Sequence, residues 1–324
     1  MADKGKKAIV ISGGGSKGAF AGGICEYLVK NLEKDYDIYL GSSTGSLLVP
    51  LLALGRINKL KIGYTNVRQS DIFTLSPFKV VQNKNGVTKI EMDYWNVFKN
   101  IIIRKKRTFG DSSNLRIYIE TFISNETYKE LLLLDKEVIT CVSNVTLGQK
   151  EFKCNKNYEW QDYLDWTYAS ACAPPFMSLV EKDGYEYTDG AIMEYAPIQE
   201  AINRGATEVD VILLRPEHNE HHISKIRNAF HWVIKIMEIQ HKELNREGIQ
   251  LPKLKVLDGD VTVNIYYTPR VLTNNELIFD KEIMADWWTE GIECAKQSQF
   301  KSYLLVKGRK PKLIKKEEKK EDKD

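Results

Sequence analysis

Histidine and cysteine are scarce in this sequence: of 324 residues, five are His and five are Cys. Cys25, Cys141, Cys154, Cys172 and Cys294 are scattered, odd in number and without a C-x-x-C pair. That argues against a disulfide framework and against a zinc site, and it fits a reducing compartment. No stretch approaches the roughly 20 apolar residues needed to span a bilayer. The opening residues 1–7 lack the hydrophobic run of a secretion signal, so a cytoplasmic protein is expected. An excess of one charge is also missing. The net charge of +3 comes from the last eighteen residues, 307–324, which hold nine Lys/Arg and five Asp/Glu; the remainder carries 38 basic against 39 acidic side chains. A nearly neutral body lacks the global basic balance of a nucleic-acid binder.

What is present suits a folded enzyme-sized chain. Hydrophobic residues make up 43% and aromatics 10%, enough for a substantial core. The length allows one large domain or two small ones. With no internal repeat and no clear linker, the expectation is one domain over 1–306 followed by a charged, disordered tail over 307–324.

The first 54 residues alternate. Lys7 to Ser12 reads as a buried strand, Gly18 to Leu32 as a helix, Asp37 to Leu40 as a second strand and Ser46 to Leu54 as an apolar helix that Pro50 bends. Such alternation predicts an α/β fold with a parallel sheet and helices packed on it. Further on, a helix from Asn114 to Ile123 capped by Ser112 or Ser113, strands at Val138–Val145 and Val209–Leu214, and helices at Ala196–Gly205 and Ile223–Leu244 are expected.

Three segments carry chemistry. The run Gly13-Gly14-Gly15-Ser16-Lys17-Gly18 lies between a strand and a helix. Unpaired amides at such a turn, and the helix dipole behind them, favour an anion: a phosphate or a transient oxyanion. The run also satisfies G-x-G-x-x-G, so a dinucleotide fold is an alternative. However, Asp37 stands at the start of the second strand, whereas that fold needs an acid at its end. A Walker loop is excluded, because Lys17 precedes the last glycine and no Lys-Ser/Thr follows. The second segment, Gly41-Ser42-Ser43-Thr44-Gly45, is a G-x-S-x-G run between strand and helix, where a sharp turn projects Ser43 above the sheet edge. The third is Asp189-Gly190-Ala191; alone, it would be an ordinary turn.

Together these segments, with Ala169-Ser170-Ala171-Cys172-Ala173-Pro174-Pro175-Phe176 ahead of the last, resemble the patatin-like phospholipase family in order and spacing from about Ile9 to Arg215. The resemblance implies a three-layer α/β/α fold with a mostly parallel central sheet. It implies that Ser43 is the nucleophile and Asp189 its catalytic partner, with no histidine between them. It also implies an oxyanion hole at Gly13, Gly14 and Gly15, a loop supported by Lys17 and Gly18, and an elbow shaped by Gly41 and Gly45. The implied reaction is hydrolysis of fatty acyl esters of phospholipids or lysophospholipids, with no metal or organic cofactor. Acyl transfer or thioester hydrolysis at Ser43, or a silent lipid-binding module, are the alternatives. A Ser43…Asp189…His218 triad has a permitted order, with His221, His222, His231 and His241 nearby in sequence. Finally, Trp95 to Arg107 joins apolar bulk to four consecutive cations; it reads either as a core element ending in a basic turn or as a peripheral membrane contact. The basic tail is a second candidate for such a contact.

Overall fold

The computed structural model describes residues 5–82, 88–217, 232, 235, 251–256, 259–273 and 275–314. Strand β1 (Lys6–Ile11) shows how the short apolar runs become a layered structure. Its side chains alternate in direction. Ala8 and Val10 enter one buried cluster, and Ile9 and Ile11 enter another on the opposite face. A strand buried on both faces belongs at the centre of a helix-covered sheet.

After β1 come α1 (Gly18–Lys30), β2 (Ile38–Ser42), α2 (Thr44–Ala53), α3 (Ile57–Thr65), α4 (Gln69–Ile72) and a separate hairpin of β3 (Phe78–Gln82) and β4 (Thr88–Met92). Next are α5 (Tyr94–Phe98), which runs into a π-helical turn at Lys99–Ile103, then α6 (Ser113–Phe122), α7 (Asn125–Leu133), β5 (Glu137–Asn144), β6 (Gln149–Cys154) and α8 (Trp160–Ser170). The chain continues through β7 (Val180–Lys182), β8 (Tyr185–Asp189), α9 (Ile198–Asn203), β9 (Ala206–Leu213), β10 (Asp260–Tyr267), α10 (Lys281–Lys296), β11 (Phe300–Val306) and β12 (Lys312–Ile314).

The main sheet has the order β12-β11-β10-β9-β1-β2-β5-β8-β7, with β6 also paired to β5. Its centre, β10-β9-β1-β2-β5, is parallel, and the outer strands pair antiparallel. From β1 the chain goes one way through β2 and β5 and later occupies the other side through β9 and β10. The carboxyl end of β1 is therefore a switch point, where parallel sheets leave a crevice. The expected α/β fold with a mostly parallel sheet is what the chain forms.

Helices α1, α2, α3, α6 and α10 contribute to the larger core, and α9 lies on the opposite face. Helices α1 and α10 touch at backbone distance: a Cβ on Gly23 would stand 2.0 Å from the Trp288 carbonyl oxygen.

Several expectations change in detail. The helix after the second glycine turn starts at Thr44, so Pro50 lies in its interior, not near its start. Ser112 does occupy the N-cap position of α6, but the Asp111 carboxylate accepts the Ser113 amide there. The tail does not begin at Lys307 as a disordered segment, because Lys312–Ile314 adds an antiparallel edge strand to β11. A charged segment can still pair when a neighbouring strand offers free backbone groups. The helix expected at Ile223–Leu244 lies, apart from Trp232 and Lys235, outside the described residues. The α8, α10, β10 and β11 elements have no counterpart in the sequence-based expectations.

Candidate active site

Ser42 closes β2 and Thr44 opens α2, leaving Ser43 at the turn with φ +53° and ψ −124°. A non-glycine residue at such angles stores about 1–3 kcal/mol of strain, which its surroundings must hold. They do so through tight packing. A Cβ on Gly41 would lie 2.3 Å from the Gly45 backbone, and one on Gly45 would lie 2.2 Å from the Ile11 carbonyl oxygen. The Ser43 amide donates to Ser170 Oγ at 3.1 Å, and that hydroxyl donates to the Cys141 carbonyl at 2.5 Å. Ser46 Oγ stands 2.8 Å from Ser170 Oγ and reaches the Gly41 carbonyl at 2.9 Å. Two serines thus brace the strained turn from below.

Asp189 ends β8. The register sets it opposite Val142, while Ser42 is opposite Cys141 on the other side of β5. That places the ends of β2 and β8 across a single strand from one another. Ser43 Oγ donates directly to Asp189 Oδ2 at 2.6 Å, and the Ala191 amide donates to Oδ1 at 2.8 Å. Both Ser43 and Asp189 are buried. Burial pushes the Asp189 carboxyl up to about 7. The Ser43 hydroxyl and the Ala191 amide pull it down, and the charge of Glu276 adds to the rise. An aspartate titrating near neutrality is a competent general base at physiological pH.

The glycine loop follows β1 at the switch point. Gly13 N–H donates to the Tyr195 carbonyl at 3.1 Å, so this amide is not free for an oxyanion, contrary to its expected place in the hole. Ser16 N–H and Lys17 N–H are also engaged, by the carbonyls of Glu276 and Gly14. Among the described residues, the amides of Gly14 and Gly15 have no partner. Gly15 has φ +53°, and a Cβ there would lie 2.2 Å from the Glu276 carbonyl oxygen, so only glycine fits. Lys17 is held by partners other than Ser43 and Asp189. Its ammonium donates to the Leu214 carbonyl at 2.8 Å and pairs with Glu276 at 2.9 Å. Burial opposes its charge, but Glu276 and Tyr195 outweigh that and hold its pKa above the ordinary lysine value. Lys17 therefore fixes the loop between β9 and the segment around Glu276. Gly18 admits Thr44 and Tyr64, whose hydroxyls are 2.7 Å apart.

Ser43 and Asp189 stand in a cleft of about 860 Å³, counted out to its open mouth. Its walls are mostly aliphatic and aromatic, from α2, α3, α6, α10 and the segment around Leu277. Leu47 and Leu51 follow Ser43 at intervals of four residues, so they line one face of α2. That row extends roughly 12 Å from the serine.

The structure thus brings Ser43, Asp189, Gly14 and Gly15 to one place, with Lys17, Gly18, Gly41 and Gly45 shaping it. The five histidines lie outside the described residues. Among the described residues, no group of three or more His, Cys, Asp or Glu could hold a metal ion. Sequence reasoning missed Ser46, Ser170, Tyr195 and Glu276. The stretch containing Ser170 was marked, but only the fold shows that its hydroxyl meets the Ser43 amide. No local signal pointed to Glu276.

The model of the patatin-like phospholipase family matches residues 9–202. Over 220 residues the chain is 26% identical to the uncharacterized protein YjjU of Escherichia coli K12, covering 65% of this chain and 53% of the relative. The chain therefore spans about half the length of that curated relative. Among solved structures, VipD from Legionella pneumophila superimposes with a TM-score of 0.50 at 13% identity, over 93% of this chain and 68% of that one. At that identity the likeness concerns the fold alone.

Proposed function

The chain belongs to the patatin-like phospholipase family, and from that premise we propose that it hydrolyses fatty acyl esters of phospholipids or lysophospholipids through a Ser43–Asp189 dyad. The observation that carries the reading is the direct 2.6 Å contact between Ser43 Oγ and Asp189 Oδ2 inside an apolar cleft.

In the first half-reaction the Ser43 hydroxyl passes its proton to Asp189 Oδ2 as its oxygen attacks the acyl carbonyl. The negative oxygen of the tetrahedral intermediate turns to the amides of Gly14 and Gly15. Donors fixed in advance stabilise that charge without reorganising, and each is worth about 3–4 kcal/mol of barrier. The intermediate collapses by breaking the carbon–oxygen bond to the leaving alcohol, which takes the proton from Asp189. In the second half-reaction water gives a proton to Asp189 and attacks the acyl-enzyme, restoring Ser43 and releasing the fatty acid. The acyl chain lies against Leu47 and Leu51, where its burial supplies binding energy of about 0.8 kcal/mol per methylene. The acid and base work needs only these two side chains.

Two measurements test this. A fluorophosphonate probe should label the protein, and Ser43→Ala should remove the label. A panel of defined lipids should release free fatty acid with the native protein and none with Ser43→Ala or Asp189→Asn. Replacing each of His218, His221, His222, His231 and His241 in turn should leave activity largely intact. A folded histidine variant as inactive as Ser43→Ala would replace the dyad with a triad. Product analysis with alcohol or thiol acceptors separates hydrolysis from acyl transfer.

A further inference from the structure

The segment Tyr94–Arg107 has its polarity inside out. Its inward side carries amides: Asn96 Nδ2 donates to the Ser76 carbonyl at 3.0 Å, and Asn100, fully buried, donates through Nδ2 to the Thr108 carbonyl at 2.9 Å. Only Val97 adds an apolar side chain beneath α5. The outward side carries the bulk. Trp95 is 66% exposed, Ile102 58% and Ile103 59%, and Phe98 stacks on Trp95 with ring centroids 5.7 Å apart. The amphipathic helix of a globular protein turns its apolar stripe to the core. Here the hydrogen bonds of Asn96 and Asn100 hold the apolar stripe in water. A contiguous apolar patch of this kind marks a surface with a partner.

The charges around the patch narrow the partner. Arg104 pairs with Asp111 at 3.1 Å, and Arg107 pairs with Glu181 and Glu186. These ion pairs tie the basic turn to the body. Lys99, Lys105 and Lys106 make no salt bridge among the described residues, and they border Phe98 and Ile103 in the chain. Exposed aromatic and aliphatic side chains ringed by free lysines complement a layer with an apolar interior and anionic headgroups.

The position is also suggestive of a lipid route. The Phe109 amide donates to the Pro175 carbonyl at 2.7 Å, and the Phe109 ring packs edge-on against Phe176. On either side of that pair, Ala173 and Met177 line the cleft that holds Ser43. The patch is thus joined to the cleft wall through one short segment.

We propose that Trp95, Phe98, Ile102 and Ile103, with Lys99, Lys105 and Lys106, form a docking surface for the anionic face of a lipid bilayer. Docking sets the cleft beside the membrane from which an acyl ester is drawn, so its purpose rests on the proposed hydrolase activity, although the docking itself does not.

The experiment uses the full chain carrying Ser43→Ala, so that no lipid is consumed. Flotation is measured with vesicles of phosphatidylcholine alone and of phosphatidylcholine mixed with an equal amount of phosphatidylglycerol. The parent should float with the mixed vesicles. Trp95→Ser with Ile102→Ser should weaken that association at least about tenfold. Lys99→Glu with Lys105→Glu and Lys106→Glu should remove the preference for anionic vesicles, by roughly fivefold per lysine and about a hundredfold in all. With Ser43 restored, both patch variants should hydrolyse a short soluble ester as fast as the native protein, which shows them folded. Equal recovery on both kinds of vesicle, or variants that float like the parent, overturns the proposal. So does a native dimer that either patch variant dissociates on gel filtration, since the patch would then cover a second copy. Loss of soluble-ester hydrolysis in Ser43→Ala is read separately and bears only on the hydrolase.

Discussion

Beneath the carboxyl ends of β2 and β8, four polar side chains (Ser43, Ser46, Ser170 and Asp189) are almost closed off from water. On α5 and the turn after it, Trp95, Phe98, Ile102 and Ile103 are largely open to it. Each region reverses ordinary burial, and the two reversals are compensated differently. In the buried group every polar atom named above has a hydrogen-bond partner, so the cost of removing it from water is offset within the protein. Only the Asp189 carboxyl retains a penalty, visible as a pKa raised to about 7. In the exposed group the apolar side chains stay largely uncovered among the described residues. Under the proposed function the first region is a finished reacting centre, and under the docking proposal the second is half of an interface.

If that contrast is right, changes in the buried group should affect chemistry far more than changes in the exposed one. The largest effect should come from the dyad: Ser43→Ala and Asp189→Asn should each lower kcat by at least about 10⁴, measured as fatty acid released from a defined phospholipid. Next is Gly15→Ala. The added methyl would meet the Glu276 carbonyl at 2.2 Å and must take φ +53°. Moving that amide out of line should reduce kcat by roughly 10²–10³ while KM changes little. An unchanged kcat would remove Gly15 from the oxyanion site.

The Asp189 carboxyl sharpens the contrast through pH. Its folded pKa of about 7 lies above the ordinary aspartate value of about 3.9. As the base must be ionised, kcat/KM should rise about tenfold per pH unit below 7 and level off above it. The stability effect has the opposite sign. The folded protein holds this proton more tightly than the unfolded chain does, so ionisation destabilises the fold. The loss is absent below about pH 4, grows through the window between the two pKa values, and reaches about 4 kcal/mol above pH 7. Asparagine at 189 can accept from the Ala191 amide and donate to Ser43 Oγ, so it keeps both contacts without the charge. Asp189→Asn should accordingly melt higher than the native protein at pH 8, with the gain fading towards pH 4. An Asp189→Asn protein that is less stable than the native one at pH 8 would mean the carboxylate is not desolvated.

The same contrast explains what the sequence disclosed. The opening alternation of strand and helix was legible because β1, β2, α1 and α2 are short and mostly apolar, with a glycine turn after each strand. Ser43 and Asp189 were legible because backbone geometry restricts which residues flank them: Gly41 and Gly45 have no room for a side chain. The brace of Ser46 and Ser170 was not, since it depends on α8 crossing over Cys141, a contact 29 residues apart. Gly13 was expected to donate to an oxyanion, but its amide already donates to the carbonyl of Tyr195, a neighbour only in space. The late elements β10, β11 and α10 lie in a stretch with no motif. Their packing, such as Gly291 against Phe20, is set by the partner helix rather than by local pattern. Trp95–Ile103 was ambiguous for a clear reason. Apolar periodicity identifies a face, but it does not say whether that face meets the core or the solvent.

The smallest expected effect is the one that decides that ambiguity. Had the stretch been a core element, Trp95→Ser would remove a large buried side chain, costing about 3–5 kcal/mol. In the structure Trp95 is 66% exposed, and its ring stacks on Phe98, itself 46% exposed. Surface substitutions away from caps, charges and special backbone angles usually change stability by no more than about 0.5 kcal/mol. The urea midpoint of Trp95→Ser should therefore match that of the native protein, and its slope should be unchanged. Val97, two residues on and on the inward side at 8% exposed, supplies the control. Val97→Ser should lower the midpoint, with a loss of stability of about 1–3 kcal/mol, since it both deletes apolar contact and buries a hydroxyl. If Trp95→Ser proved the more damaging of the two, the outward face of α5 would be packed against the protein, and the distinction between a finished centre and an open surface would fail.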